Sequence, residues 1–232
     1  MSQSLMPSHE RRALIAGGSG LVGGHCLRFL LDEDAYGLVT ALVRKPLAIT
    51  NPRLHQVEID FSRLEEYASM IQADDVYCCL GTTIRRAGSR EAFKRVDVDY
   101  PVDIAQIACR NGARQFLLVS SVGARPEARV FYLRMKGMVE EEVASCGFRS
   151  VQIFRPSMLL GDRDEDRPGE RIGAALMTSL SFAMVGRWRP YRPIEAATVA
   201  RAMVRVGRKG IVGRHVFESD EIARIGDPAA TA

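Results

Sequence analysis

The sequence has few of the residues that build metal sites or disulfide frameworks. Its four histidines are scattered without ligand spacing, and its five cysteines include no CxxC pair. We therefore expect no metal site and no disulfides, and instead reduced thiols that lie mostly in the core. Cysteines of this kind are typical of a cytoplasmic protein. They are Cys26, Cys78, Cys79, Cys109 and Cys146.

Long apolar runs and runs of like charge are also lacking. The longest uncharged apolar stretch, residues 173–186, falls short of the roughly 20 residues that a bilayer-spanning helix needs. The first residues, MSQSLMPSHERR, contain no apolar segment of the kind found in secretory signals. The net charge is only +4, without a block of one sign. We therefore expect a cytoplasmic protein that binds neither a membrane nor nucleic acid.

Lysine is rare, although arginine is common. Of the 32 basic residues only Lys45, Lys94, Lys136 and Lys209 are lysines. Lys136 follows Tyr132 by four residues in the segment FYLRMKG, which has a helical pattern. An ammonium group is a compact point charge, whereas a guanidinium is a planar fork, so a lysine at this place can fill a role that an arginine cannot.

The rest of the chain alternates short apolar runs with longer helical patterns, which indicates βαβ units. Apolar runs predict strands at 12–16, 38–43, 54–60, 75–80, 115–121 and 148–154. Such an order is typical of an α/β fold with a doubly wound parallel sheet of the Rossmann type, with helices on both faces. Helical patterns predict a helix at 61–72 and a long one at 89–112, broken near Pro101. The 232 residues suit one domain, in which residues 155–232 contribute a small substrate-side lobe.

The first turn between strand and helix reads AGGSGLVGG. Gly17, Gly20 and Gly23 have the spacing GxxGxxG directly after the first predicted strand. Glycines there permit a tight turn, a close approach of the backbone to a pyrophosphate, and close packing of the helix on the sheet. The helix N-terminus then faces the phosphates with its partial positive charge. We interpret this segment as a dinucleotide site, with an ordinary tight turn as the alternative.

The residues after the second predicted strand bear on the choice of cofactor. An acidic side chain there would favour NAD(H), but the chain has Arg44 and Lys45. Because a guanidinium matches a phosphate in charge and shape, we expect NADP(H) to be preferred, while NAD(H) remains possible. A solvated loop is the alternative for these two residues. Gly81, after the fourth strand, would let the backbone pass beneath the adenosine ribose, or it is an ordinary turn glycine.

Candidate catalytic residues follow the fifth predicted strand. Ser120 and Ser121 end that strand, and Tyr132 and Lys136 lie on one face of the next predicted helix. The lysine charge favours the phenolate, and the ammonium can hold a ribose. A serine hydroxyl can orient a carbonyl, and the tyrosine can exchange a proton with it as hydride is transferred. The alternative is an exposed helix face without catalytic function.

Several motifs together resemble a known family. GxxGxxG, the serine pair and YxxxK occur in the order of the short-chain dehydrogenase/reductases, and ALVRKP, CCLGTT, VDVDY, SSVGA and FRPSMLLGDR resemble the Tat-interacting-protein-like oxidoreductases. The resemblance implies that Tyr132 donates or accepts the proton; it leaves open which serine takes part. It also implies cofactor contacts from Ser19, Gly20, Leu21, Val22, Arg44, Lys45, Leu80, Gly81, Tyr132, Lys136, Leu159 and Arg167.

These observations favour an NADP(H)-dependent oxidoreductase that acts on a small carbonyl or alcohol. A second hypothesis is a non-catalytic NADPH-binding regulator, whose affinity for a protein partner depends on the cofactor, because a fold alone does not decide activity. A third is an isomerase or epimerase that keeps its nicotinamide bound.

Overall fold

The computed structural model describes residues 11–161 and 192–229. The strands are β1 (Arg11–Ala16), β2 (Tyr36–Val43), β3 (Leu54–Glu58), β4 (Asp75–Cys78), β5 (Gln115–Val119), β6 (Ser150–Arg155), β7 (Leu159–Leu160), β8 (Ile194–Glu195) and β9 (Gly213–Glu218). The α-helices are α1 (Leu21–Asp32), α2 (Ile84–Ala87), α3 (Arg90–Lys94), α4 (Tyr100–Arg110), α5 (Phe131–Ala144), α6 (Ala196–Lys209) and α7 (Ser219–Gly226). A 3₁₀ segment covers Phe61–Met70, and a π-helical turn covers Arg95–Asp99.

Seven strands form one sheet in the order β3-β2-β1-β4-β5-β6-β9, and every neighbouring pair is parallel. The predicted doubly wound parallel sheet of Rossmann type is therefore confirmed. The strand order reverses between β1 and β4, and in open sheets of this kind the crevice at that point, beyond the carboxyl ends of the strands, takes the ligand. A separate short pair joins β7 to β8.

Helices cover both faces of the sheet because its strands are apolar on both sides. In β1, Leu14 and Ala16 face the core beneath α4 and α5, whereas Ala13 and Ile15 face the core beneath α1 and α6. Helix α6 lies especially close to the sheet, since a Cβ atom at Gly207 would stand 2.0 Å from the hydroxyl of Tyr77. The two cores fix the sheet, and with it the edge at which the candidate residues lie.

Two predicted helices are present but are not regular α-helices. The segment after β3 is a 3₁₀ helix; the Asp60 side chain accepts a hydrogen bond from the Ser62 N–H, and Arg63 has a non-helical φ of −132°. The long second helix is irregular near Pro101, as predicted. Its backbone stays helical from Arg90 to Arg110, and a π-helical turn at Arg95–Asp99 interrupts the α-helical pattern just before Pro101.

Residues 213–218, within the predicted substrate-side lobe, extend the main sheet. Strand β9 pairs in parallel with β6. Much of the predicted substrate-side lobe, including Arg167 and the apolar stretch 173–186, lies outside the described residues. No helix within the described ranges is long and apolar enough to span a membrane.

Candidate active site

The glycine turn lies at the point where the strand order reverses. Gly17 has a φ of +88°, and a Cβ atom there would stand 2.6 Å from the carbonyl oxygen of Cys79, just beyond β4. A Cβ atom at Gly23 would stand 2.0 Å from the carbonyl oxygen of Gly17. Both positions therefore require glycine. The N–H of Gly20 closes the turn by donating to the Gly17 carbonyl at 2.9 Å.

The first turn of α1 is open to an anion. Gly20 precedes the helix without a side-chain cap, and no acidic residue lies in the first turn. Ser19 is exposed beside it, while Val22 is buried, so that Val22 can offer only its backbone. Leu21 is covered by the chain after β7, because a Cβ atom at Gly161 would stand 2.9 Å from Leu21 Cδ1. The narrow cradle and the uncapped N–H groups fit a dinucleotide pyrophosphate.

Arg44 and Lys45 follow β2 and are exposed. Neither forms an ion pair with a carboxylate of the described part of the chain. Their loop is held by Gln56 of β3, which accepts a hydrogen bond from the Leu47 N–H at 2.7 Å and donates to the Leu47 carbonyl at 3.1 Å. Arg44 and Lys45 therefore lie on a loop that the hydrogen bonds of Gln56 hold against β3. The sequence did not predict that Gln56 holds this loop, because a glutamine in a strand carries no local signal of such a role.

Lys136 is paired with a carboxylate that the sequence analysis did not identify. Its Nζ lies 2.8 Å from Asp97 Oδ1, and both side chains are almost fully buried. The other carboxylate oxygen of Asp97 accepts a hydrogen bond from the Thr82 N–H at 2.8 Å. A Cβ atom at Gly81 would stand 3.5 Å from Asp97 Oδ1 and 3.8 Å from Lys136 Nζ. The π-helical turn thus places Asp97 between the loop after β4 and helix α5.

Lys136 keeps its charge in this setting. Burial by itself would lower the pKa of its ammonium, but Asp97 and the neighbouring Tyr132 outweigh burial and raise the pKa above the ordinary lysine value. The segment VDVDY gives no local sign of this pairing, because an acid near a helix end usually faces solvent. The contact joins residues almost forty positions apart.

Tyr132 lies in the first turn of α5, one turn before Lys136, as the spacing predicted. It is half-buried, and its ring packs edge-on against Phe93 at a centroid distance of 5.9 Å. Within residues 11–161 and 192–229 its hydroxyl has no hydrogen-bond partner. The phenol is therefore oriented by packing while its oxygen stays available.

The two candidate serines have different surroundings. Ser120 is buried, and its hydroxyl donates a short hydrogen bond to the carboxylate of Glu140 on α5. Glu140 also pairs with Arg155 at 2.6 Å, and Arg155 reaches Glu218 of β9 at 3.1 Å. Within the described residues the hydroxyl of Ser121 has only a 3.4 Å contact with the Val122 carbonyl. Ser120 thus belongs to a network of charged residues, and Ser121 does not.

The remaining predicted contact residues lie around the same edge, except one. Leu80 is half-buried and precedes the exposed Gly81 at the end of β4, and Leu159 of β7 is half-buried against the core beneath α1 and α6. Arg167 falls in the undescribed segment. No cluster of His, Cys, Asp or Glu that could hold a metal occurs in the described part of the chain.

Comparison with known proteins identifies the family. Residues 17–207 match a family model described as NAD(P)H-binding. Protein HTATIP2 of Rattus norvegicus is 37% identical over 199 residues, covering 84% of this chain and 80% of that protein. Protein FMP52, mitochondrial, of Candida albicans is 30% identical over 206 residues, covering 86% of this chain and 89% of that protein.

Solved structures share the fold at low sequence identity. MoeE5 in complex with UDP-glucose and NAD has a TM-score of 0.66 and 16% identity, covering 94% of this chain and 82% of that chain. The Bordetella bronchiseptica enzyme WbmH in complex with NAD+ has a TM-score of 0.67 and 16% identity, covering 90% of this chain and 75% of that chain. The chain belongs to the NAD(P)H-binding family, and the resemblance drawn from its sequence motifs is confirmed.

Proposed function

We propose that this member of the NAD(P)H-binding family is an NADP(H)-dependent oxidoreductase that transfers hydride to or from a small carbonyl or alcohol. The observation that carries the proposal is the buried ammonium of Lys136, which lies one turn after Tyr132 and beside Gly81 at the carboxyl edge of the sheet. A buried lysine paired with one carboxylate and adjacent to a phenol is suited to proton transfer at that phenol.

Residues of this chain supply and accept the proton that accompanies hydride transfer. When bound, the nicotinamide supplies or accepts the hydride. Tyr132 donates its phenolic proton to the carbonyl oxygen during reduction and takes it back from the alcohol during oxidation. The Lys136 charge stabilises the phenolate that remains, and Asp97 fixes the lysine in position. The Ser121 hydroxyl orients the carbonyl oxygen by donating a hydrogen bond to it.

The choice of Ser121 over Ser120 rests on hydrogen bonding. The Ser120 hydroxyl donates a hydrogen bond to the Glu140 carboxylate. Among the described residues, the Ser121 hydroxyl has only a 3.4 Å contact with the Val122 carbonyl. A hydroxyl that gives its proton to a buried carboxylate is not free to donate to a substrate. We therefore assign Ser121 to the substrate and Ser120 to the structural network.

The proposed cofactor is NADP(H) rather than NAD(H). Arg44 and Lys45 lie on the loop after β2 that Gln56 holds in place, where a 2′-phosphate of the adenosine ribose would lie in folds of this type. Neither cation is neutralised by a carboxylate of the described residues. The glycine turn and the start of α1 would hold the pyrophosphate, with Leu80, Gly81 and Leu159 lining the path of the cofactor.

A direct assay tests the proposed activity. The purified protein is mixed with NADPH and a panel of aldehydes and quinones, and the absorbance of the reduced nicotinamide is followed. We expect a protein-dependent loss of absorbance with at least one carbonyl compound, and faster loss with NADPH than with NADH. Tight NADPH binding without turnover across the panel would contradict the proposal.

That outcome would favour the second candidate, a non-catalytic NADPH-binding regulator. Its signature is binding of a protein partner that depends on NADPH. For the location of the protein in the cell we propose the cytoplasm, and the mitochondrion named for FMP52 of Candida albicans is the alternative.

A further inference from the structure

Two arginines beside Tyr132 bear on the kind of substrate. Phe131, the residue before Tyr132, has the Cζ atom of Arg90 5.2 Å from its ring centroid and that of Arg134 5.8 Å away. Arg90 comes from α3 and Arg134 from α5. Two elements thus bring positive charge to one aromatic ring.

This ring is part of the surroundings of Tyr132. Phe93 of α3 lies with its ring centroid 5.7 Å from Phe131 and 5.9 Å from Tyr132. Phe93 is fully buried, so the three rings form a fixed aromatic cluster. The aromatic cluster therefore connects the ring that Arg90 and Arg134 contact with the ring of Tyr132.

Neither guanidinium is neutralised within the described parts of the chain. Arg134 donates to the Ala128 carbonyl at 3.1 Å, and Arg90 is exposed and has only its aromatic contact. Arg155 differs, because two carboxylates hold it. Two cations at one aromatic ring, with no carboxylate partner among the described residues, favour the binding of an anion beside them. The neighbouring Arg85, Arg86 and Arg129 are exposed and also lack ion pairs in the described residues.

We propose that Arg90 and Arg134 bind an anionic group of the substrate, so that the site takes carbonyl compounds that carry a carboxylate or a phosphate. A guanidinium over an aromatic ring has N–H donors along its edge, and the donors that Arg134 does not give to Ala128, together with those of Arg90, match the two oxygens of a carboxylate or phosphate. The inference rests on the proposed function, since it names the substrate class of that same site.

The test compares an anionic aldehyde with a neutral one of the same shape. The protein is assayed with NADPH and either 4-carboxybenzaldehyde or its methyl ester, and kcat/KM is measured for each. We expect the acid to be the better substrate by roughly tenfold or more, the range of one hydrogen bond to a charged group. Arg90→Gln with Arg134→Gln should remove this preference and leave the ester within about twofold.

The control variant loses the same charge elsewhere. Arg114→Gln with Arg149→Gln removes two exposed arginines just before β5 and β6, at the opposite edge of the sheet. It should keep the preference for the acid, because these two arginines lie far from Tyr132. Both double variants lower the net charge by the same amount, so a difference between them cannot come from general electrostatic attraction. Thermal melting checks that each variant is folded, and Arg90→Gln alone keeps the test decisive if the double variant is not.

Three results would overturn the inference. The first is an equal kcat/KM for acid and ester in the parent protein. The second is an equal loss of acid preference in the control variant. The third is a rise in the Kd of NADPH, with that of NADH unchanged, in the Arg90 and Arg134 variant, because these arginines would then hold the cofactor's phosphate.

A binding measurement separates this inference from the proposed activity. If neither aldehyde is reduced, titration calorimetry of the NADP+-loaded protein with 4-carboxybenzaldehyde and with its ester decides the matter. Binding of the acid alone, lost in the Arg90 and Arg134 variant, would support the anion site and contradict the activity. Absence of any preference would contradict the anion site. Glyceraldehyde 3-phosphate against glyceraldehyde distinguishes a phosphate from a carboxylate.

Discussion

Ser120 and Ser121 are neighbours in sequence but differ in what their hydroxyls contact. We expect Ser121→Ala to lower turnover by roughly 10²-fold, the cost of removing one donor to a developing oxyanion, with little change in stability. Ser120→Ala should instead lower the free energy of unfolding by about 1–3 kcal/mol, because the buried Glu140 loses a hydrogen bond. Steady-state kinetics and urea unfolding of both variants measure this. The reverse pattern would assign Ser120 to the substrate.

Arg44 and Lys45 can be tested as the source of cofactor preference. Arg44→Gln with Lys45→Gln should raise the Kd of NADPH by roughly 10–100-fold, because two charge-assisted contacts to a phosphate are lost, and should leave the Kd of NADH within about twofold. Fluorescence titration measures both values. Arg149→Gln with Lys209→Gln, which removes two exposed cations far from this loop, serves as the control. Parallel losses for both nucleotides would contradict a 2′-phosphate site.

Single residues were predictable from the sequence where the signal is local. The glycine spacing, the arginine and lysine after the second strand and the i, i+4 spacing of Tyr132 and Lys136 can each be read from a few adjacent letters. The Asp97 partner of Lys136 could not be found in this way, because it depends on how α5 packs against the π-helical turn. The choice between the two serines depends on Glu140, which lies twenty positions later.

Helix α1 depends on the absence of a side chain at its third residue. Gly23→Ala would place a Cβ atom 2.0 Å from the Gly17 carbonyl oxygen, so the helix or the turn must shift. We expect a loss of about 1–3 kcal/mol in the free energy of unfolding and weaker NADPH binding.

The next glycine offers a matched control. A Cβ atom at Gly24 would have its nearest neighbour, the Gly18 carbonyl oxygen, at 3.7 Å, an ordinary contact. Gly24→Ala should therefore stabilise the protein by about 0.5–1 kcal/mol, as alanine does in a helix interior. Chemical denaturation of both variants compares the two positions. Equal effects of the two substitutions on stability would mean that the Gly17 carbonyl oxygen does not constrain Gly23.

Most of the strands that were predicted correctly have apolar runs bounded by turn residues. Strands β1, β2, β4, β5 and β6 are mostly buried, because helices cover both faces of the sheet, whereas β3, LHQVE, is an edge strand with a single buried residue. Strand β9 was missed, since GRHVFE begins with polar, exposed residues at the edge of the sheet. The helix predicted at 61–72 has 3₁₀ geometry, a detail that the sequence does not specify because periodicity does not distinguish the two helix types over a short span.

On the scale of the whole molecule, a buried cluster of polar side chains connects β2 with β4. The Tyr36 hydroxyl donates to Asp75 at 2.7 Å and lies 2.8 Å from the Tyr77 hydroxyl. Burial, followed by the negative charge of Asp75 for Tyr36 and the neighbouring phenol for Tyr77, raises the pKa of both tyrosines above the ordinary value. Both therefore stay protonated in the folded protein at a pH where they ionise in the unfolded chain.

This difference predicts alkaline instability. Below about pH 10 the tyrosines are neutral in both states and their contribution to stability is fully present. As the pH rises further, only the unfolded state loses protons, so the free energy of unfolding should fall by about 1.4 kcal/mol per pH unit for each tyrosine. Tyr77→Phe should reduce the slope by one such contribution. An unchanged slope in Tyr77→Phe, measured by urea unfolding between about pH 9 and 11, would contradict the assignment.

The most direct test of the proposed activity is a comparison of cofactor binding and turnover in Tyr132→Phe. NADPH binding is followed by fluorescence, and turnover is measured in a stopped-flow instrument with the best carbonyl compound of the panel. Because phenylalanine keeps the ring packing but cannot supply a proton, we expect the Kd of NADPH to stay within about twofold and turnover to fall by roughly 10³-fold or more. Full turnover by the Tyr132→Phe variant would contradict proton transfer by Tyr132.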